Sequence, residues 1–143
     1  MTDRLERESV RSVLFVCVGN ACRSQMAEGF ARALAPSLRV ASAGTRPAEK
    51  VESKAVEVMR EVGIDISCQR PKALADCDVA AYDYVITMGC GAAGVCPAGF
   101  LGVTEDWDIP DPRGKSLEEF RRVRDLIREK VEELLARMEE EAG

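Results

Sequence analysis

Residues 13–30 read VLFVCVGNACRSQMAEGF. An apolar run meets a cysteine, a Gly-Asn pair and a second cysteine follow, and an arginine and a serine open a helical pattern. A short continuous apolar run suits a strand buried on both faces, so SVLFVC (12–17) predicts the first strand. RSQMAEGFARALA (23–35) predicts a helix with Met26, Phe30, Ala33 and Leu34 on its inner face and Pro36 as its stop. Cys17 thus falls at the carboxyl end of a strand, and Arg23 at the start of a helix.

The same alternation continues along the chain. LRVASAG (38–44) predicts a second strand, and EKVESKAVEVMREVG (49–63) a helix burying Val51, Ala55, Val58, Met59 and Val62. YVITM (84–88) reads as a third strand, GCGAAGVCPAG (89–99) as a Gly-rich loop, and the stretch near VTEDW as a short fourth strand. SLEEFRRVRDLIREKVEELLARM (116–138) is a long amphipathic helix, with Ser116 as N-cap and Glu119 completing a capping box. Its buried stripe is Leu117, Phe120, Val123, Ile127, Val131, Leu134 and Met138. Alternating strands and helices predict a single α/β domain over 1–143 with a parallel sheet, and residues 1–11 as a short charged tail. In such sheets ligands sit beyond the carboxyl ends of the strands. Cys17, the stretch after Met88 and the loop after Trp107 all fall there.

Composition narrows the chemistry. A chain of 143 residues supports one core, and 46% hydrophobic with 31% charged residues is ordinary for a globular domain. A net charge of −5 with scattered Lys and Arg predicts neither nucleic acid nor an anionic membrane as partner. MTDRLERESVR lacks the apolar stretch of a secretory signal, and no apolar run reaches the roughly 18 residues of a membrane span. A cytoplasmic protein with reduced thiols is expected, so the six cysteines are free, catalytic or metal-bound rather than structural disulfides. The absence of histidine removes Cys-His and Ser-His-Asp catalysis. A zinc site at Cys68, Cys77, Cys90 and Cys96 lacks any closely spaced cysteine pair, so no metal is expected.

CVGNACRS is a C-x5-R-S pattern between strand and helix. Five residues can curl so that the backbone N–H groups of Val18, Gly19, Asn20, Ala21, Cys22, Arg23 and Ser24 form a nest for a tetrahedral oxyanion. Gly19 and Asn20 tolerate positive φ in such a curl. Arg23 can hold two oxygens with its planar fork, and with the helix N-terminus it favours a Cys17 thiolate. Ser24 can donate a hydrogen bond to that thiolate. Cys17 then lies beneath the central atom, ready for in-line attack, while Cys22 packs under the loop. A leaving oxygen needs a proton, and without histidine a loop carboxyl must supply it. EDWDIPDPRGK offers Glu105, Asp106, Asp108 and Asp111.

CVGNACRSQMAEGF resembles the phosphate-binding loop of the low-molecular-weight protein tyrosine phosphatase superfamily. Within it the likeness is to the thioredoxin-coupled arsenate reductases. It extends through ASAGT, GIDIS, VITMGC and the WDIPDP loop with its GK, nearly the whole chain. The resemblance implies a four-stranded parallel sheet in the order 2-1-3-4 flanked by helices, and a monomer. It selects Asp111 as general acid.

It also implies a relay through Cys17, Cys90 and Cys96 that reduces arsenate to arsenite and is recycled by thioredoxin, for arsenic detoxification. The glycines around the C-x5-C pair Cys90 and Cys96 lower the steric cost of bringing two cysteines within disulfide reach. Phosphatases of this superfamily carry aromatic residues after the Asp-Pro, where this chain has Arg-Gly-Lys. A site lined by small residues suits a free oxyanion, arsenate or phosphate, better than an aryl ester. The alternatives are a phosphotyrosine phosphatase with a phosphocysteine intermediate at Cys17, or an oxyanion-sensing protein without turnover. Some arsenate reductases hold potassium with an Asn, a Glu, a Ser and an Asp. Asn20, Glu28 and Ser42 match, but Lys72 stands at the Asp position, so its ammonium is expected to replace the ion and no cofactor is expected.

Overall fold

The computed structural model describes residues 11–88 and 103–142. Strands β1 (Ser12–Cys17), β2 (Arg39–Gly44), β3 (Tyr84–Met88) and β4 (Val103–Trp107) form one parallel sheet in the order β2-β1-β3-β4. This is the topology that the resemblance implied. The sheet register sets Cys17 beside Gly44 and Val16 beside Thr87, so the end of the central strand β1 opens between its two neighbours. The charged tail falls mostly on residues outside the described ones; Arg11 already offers its carbonyl to the Arg39 N–H at 3.0 Å.

Side chains alternate along β1 and sort into two layers, as pleating requires. Val13, Phe15 and Cys17 share a cluster with Ile86, Met88 and Trp107 beneath three α-helices of the described residues. These helices are α1 (Arg23–Leu34), α2 (Ser53–Glu61) and α3 (Leu117–Ala142). Leu14, Val16, Ala43 and Val85 face the other way, under Leu74 and the partly buried Cys77, Val79 and Tyr82. That second face is covered by two single-turn 3-10 helices, Leu74–Asp76 and Val79–Ala81, so helical structure flanks both faces unequally.

Of the expected stripe of α3, Phe120, Val123, Ile127, Val131, Leu134 and Met138 are buried, and Leu117 packs against them partly buried. Ser116 Oγ accepts the Glu119 N–H at 3.3 Å. The Glu119 carboxylate pairs with Arg122 at 2.8 Å instead of reaching back to the cap. In α1 the buried set is Met26, Ala27, Phe30 and Ala31, while Ala33 and Leu34 are exposed. The core ends one turn before this helix does, which corrects the sequence-based inner face.

The second helix begins at Ser53, four residues later than its apolar pattern suggests. The Thr45, Arg46, Ala48 and Glu52 N–H groups serve the loop after β1, as described below, and hold this stretch outside the helix. Among the described residues, no helix is long and apolar enough to cross a membrane.

Candidate active site

The loop from Cys17 to Cys22 is shaped by what its carbonyls do. The Thr45 N–H reaches the Cys17 carbonyl at 3.3 Å, Arg46 that of Val18 at 2.8 Å, and Ala48 that of Gly19 at 2.9 Å. Gln25 Nε2 takes the Asn20 carbonyl at 2.9 Å, and the Glu52 N–H that of Ala21 at 2.9 Å. The Met26 N–H takes the Cys22 carbonyl at 2.9 Å, as the first bond of α1. Every carbonyl of the loop is thus held outward. None of the N–H groups from Gly19 to Ser24 has a backbone acceptor among the described residues. A curl with its carbonyls outside and N–H groups inside is the nest geometry for an anion. Asn20 supplies the left-handed step, at φ 49°. Gly19 itself is not in the positive-φ region.

Gly44, beside Cys17 in the sheet, permits the close approach. A Cβ there would stand 2.6 Å from the Val18 carbonyl oxygen and 2.9 Å from the Asn20 nitrogen. Below the curl, Cys17 is 2% exposed, and its Sγ lies 2.9 Å from Ser24 Oγ. Asn20 Nδ2 donates to that same oxygen at 2.7 Å, while Asn20 Oδ1 accepts the Lys72 N–H at 2.8 Å. Since the Lys72 amide fixes which end of Asn20 is the carbonyl, Ser24 Oγ receives a hydrogen bond from Asn20, and its own hydrogen can serve a Cys17 thiolate.

Arg23 is buried at the base of the site. Nη1 donates to the Met88 carbonyl at 2.8 Å and the Ile109 carbonyl at 3.1 Å, tying the ends of β3 and the loop after β4 to the nest. Nη2 lies 3.6 Å from Asp111 Oδ2, a carboxylate nearly half exposed. A pair of this kind contributes about 0–1 kcal/mol, so Asp111 is aimed by Arg23 without being locked. Asp111 Oδ1 also accepts the Arg113 N–H at 3.1 Å. The structure therefore brings Cys17, Arg23, Ser24 and Asp111 together.

Glu28 is buried beside the loop, and Ser42 Oγ donates to its Oε1 at 2.5 Å. Arg32 Nε donates to Oε2 at 2.8 Å, and Lys72 Nζ stands 3.9 Å from Oε1 and donates to the Arg70 carbonyl at 2.9 Å. Cys22 is buried under the loop. Burial, then the charges of Asp111, Glu52 and Cys17, push its thiol well up from the ordinary value, against a smaller lowering by Arg113. Cys68 is exposed and Cys77 half-buried, both as free thiols. Cys90 and Cys96 lie outside the described residues.

Sequence reasoning missed Gln25 and Gln69. Gln25 Nε2 bridges the Asn20 carbonyl to that of Arg70 at 3.1 Å, and Gln69 Nε2 donates to Gln25 Oε1 at 2.7 Å. The available signal was the place of Gln25 beside Met26 at the start of the helical pattern, and the structure buries it completely. A buried amide needs partners, and a loop rich in backbone groups supplies them.

The sequence matches the family of low molecular weight phosphotyrosine protein phosphatases over residues 12–143. It is 42% identical over 132 residues to a glutaredoxin arsenate reductase of Synechocystis sp., covering 90% of this chain and 99% of that protein. It is 41% identical over 124 residues to arsenate reductase 1 of Staphylococcus epidermidis, covering 85% and 93%. Among solved structures it is similar to an arsenate reductase in the phosphate binding state, with a TM-score of 0.82 at 42% identity over 90% of this chain and 99% of that one. A low molecular weight protein tyrosine phosphatase from T. tengcongensis superimposes with a TM-score of 0.77 at 32% identity, covering 90% and 99%.

Proposed function

The chain belongs to the low molecular weight phosphotyrosine protein phosphatase family, and within that family we propose that it is an arsenate reductase. The observation that carries the chemistry is the nest itself: six outward carbonyls, a buried Cys17 hydrogen-bonded to Ser24, and Arg23 beside Asp111. The identity of the oxyanion rests on the resemblance to named arsenate reductases and on Cys90 and Cys96.

Arsenate enters the nest, and its oxygens are held by the inward N–H groups and the free edge of Arg23. The Cys17 thiolate attacks arsenic, and an oxygen departs as water after Asp111 gives up its proton. The Cys90 thiolate then attacks the Cys17 sulfur. The sulfur–arsenic electron pair passes to arsenic, which leaves as arsenite, two electrons richer, and a Cys17–Cys90 disulfide remains. Cys96 attacks Cys90, frees the Cys17 thiolate and leaves a Cys90–Cys96 disulfide for an external dithiol to reduce. That dithiol is thioredoxin in this reading, and the protein works in the cytoplasm as a monomer, in arsenic detoxification. Phosphate monoesters fit the same nest, so slow aryl phosphate hydrolysis accompanies the main reaction.

The reaction needs no potassium ion. Asn20 Oδ1 accepts the Lys72 backbone N–H, Ser42 Oγ donates to Glu28 Oε1, and Glu28 pairs with Arg32 at 2.8 Å with the Lys72 ammonium 3.9 Å away, so positive charge already faces this carboxylate. Equal activity in potassium and sodium at matched ionic strength is expected; strong potassium stimulation contradicts this part.

The experiment is arsenate-dependent NADPH consumption, with thioredoxin and its reductase in one arm, and glutathione, its reductase and glutaredoxin in the other. The second arm is included because one relative is named a glutaredoxin arsenate reductase. Turnover with thioredoxin is the expected result. Turnover with glutaredoxin alone overturns the reductant, and fast aryl phosphate hydrolysis without arsenite formation overturns the reductase.

A further inference from the structure

We propose that Arg113 is a specificity-determining residue, contacting the outward oxygen of a free inorganic oxyanion and so favouring arsenate or phosphate over their monoesters. The proposal deepens the reductase reading and rests on the same nest.

Arg113 is presented by a tight turn. The Lys115 N–H returns to the Pro112 carbonyl at 2.9 Å, and Gly114 takes φ +79°, the third-position value that a type II turn reserves for glycine. Arg113 occupies the corner before it. The turn is anchored on both sides: the Arg113 N–H binds Asp111 Oδ1 at 3.1 Å, and Lys54 Nζ from α2 binds the Lys115 carbonyl at 2.7 Å. Arg113 is therefore fixed to the same short segment as the acid.

Its guanidinium lies beside Gly19, on the loop that forms the nest. Arg113 Nη1 stands 3.5 Å from the position a Cβ on Gly19 would occupy. Its charge also reaches the thiol of Cys22 on the floor of the loop. Arg23, by contrast, spends Nη1 on two carbonyls. Arg113 is exposed, and among the described residues its guanidinium makes no hydrogen bond or ion pair, so no described group there competes for its donors.

The chemistry follows from the tetrahedron. An oxyanion poised for in-line attack by Cys17 turns three oxygens toward the nest and Arg23. The fourth points outward, toward the Asp111 segment. In arsenate or phosphate that oxygen carries at most a proton and accepts charge-assisted hydrogen bonds from a guanidinium. In a monoester it carries an organic group, which competes for the space Arg113 occupies. A site that rewards the bare oxygen discriminates by leaving its donors unpaired when the wrong ligand binds.

The test measures equilibrium binding in a Cys17→Ser background, which removes turnover. The probes are inorganic phosphate and phenylphosphonate, an analogue whose fourth substituent is a ring. Arg113→Gln is expected to weaken phosphate about tenfold and phenylphosphonate less than about twofold, with Arg113→Lys in between. Equal weakening of both ligands would reduce Arg113 to general electrostatics and overturn the proposal, as would no change in either. Arg113 is exposed, and an unchanged melting temperature verifies that the variants fold. Because no arsenite is formed in this assay, loss of the reductase reading and loss of this inference give separate results.

Discussion

Ser24 Oγ stands 2.9 Å from Cys17 Sγ, with Asn20 Nδ2 already donating to the same oxygen at 2.7 Å. A thiolate at Cys17 can only accept, so in that form the Ser24 hydroxyl hydrogen goes to sulfur and the bond is strongest. Hydrogen bonds to charged groups contribute about 1.5–3 kcal/mol, or about 10- to 150-fold in rate when the anion is the reactive form. Ser24→Ala is expected to lower kcat for arsenate within that range and to slow alkylation of Cys17 by iodoacetamide at neutral pH. Ser24→Thr retains the hydroxyl and is expected to keep much of both rates. Equal rates for Ser24→Ala and wild type would remove the hydroxyl from the mechanism.

Gly44 tests the shape of the nest without touching its chemistry. A methyl group there meets the Val18 carbonyl and the Asn20 backbone at distances real Cβ atoms do not adopt, so the curl must move. Misplacing a catalytic group by about 1 Å can cost about 100-fold in rate. Gly44→Ala is expected to lose at least that much in kcat/KM, and phosphate affinity with it. Retention of phosphate binding would mean that the loop is not held as tightly as its six outward carbonyls imply.

The position of Cys22 makes a prediction about pH. Burial is the main cause of its raised folded-state value, so the folded protein holds this proton more tightly than the unfolded chain does. The associated stability is fully present below the ordinary thiol value of 9.0 and is lost as pH rises beyond it. Urea denaturation between pH 7 and about pH 10 should show a steeper loss of stability in wild type than in Cys22→Ala, in which this group is absent. Parallel losses would contradict the burial argument. At about pH 8, below the ordinary thiol range, iodoacetamide should leave Cys22 unmodified in the folded protein.

Much of this site was legible because its parts are local. A buried apolar strand, a turn-forming Gly-Asn pair and an amphipathic helix set Cys17, Arg23 and Ser24 within eight residues of one another. Asp111 was legible only through the family pattern, since four acidic residues share its loop and nothing local ranks them. Three features depend on contacts between distant segments and left no periodic trace. The 3-10 turns at 74–81 cover the second sheet face with too few residues to show a helical pattern. Residues 49–52 carry helix-like composition, yet the Glu52 N–H goes to the Ala21 carbonyl, so tertiary hydrogen bonding overrides local propensity. The Gln25–Gln69 clamp joins residues 44 positions apart.

The relay is the central claim, and a single-turnover experiment on Cys96→Ser tests it most directly. Fully reduced Cys96→Ser is mixed with excess arsenate, quenched in acid and analysed by peptide mass spectrometry, with arsenite counted in parallel. The account predicts about one arsenite per enzyme and a trapped Cys17–Cys90 disulfide, with no further turnover when thioredoxin is supplied. Sustained turnover by Cys96→Ser, or arsenite formed without any disulfide joining Cys17 to Cys90, would contradict it.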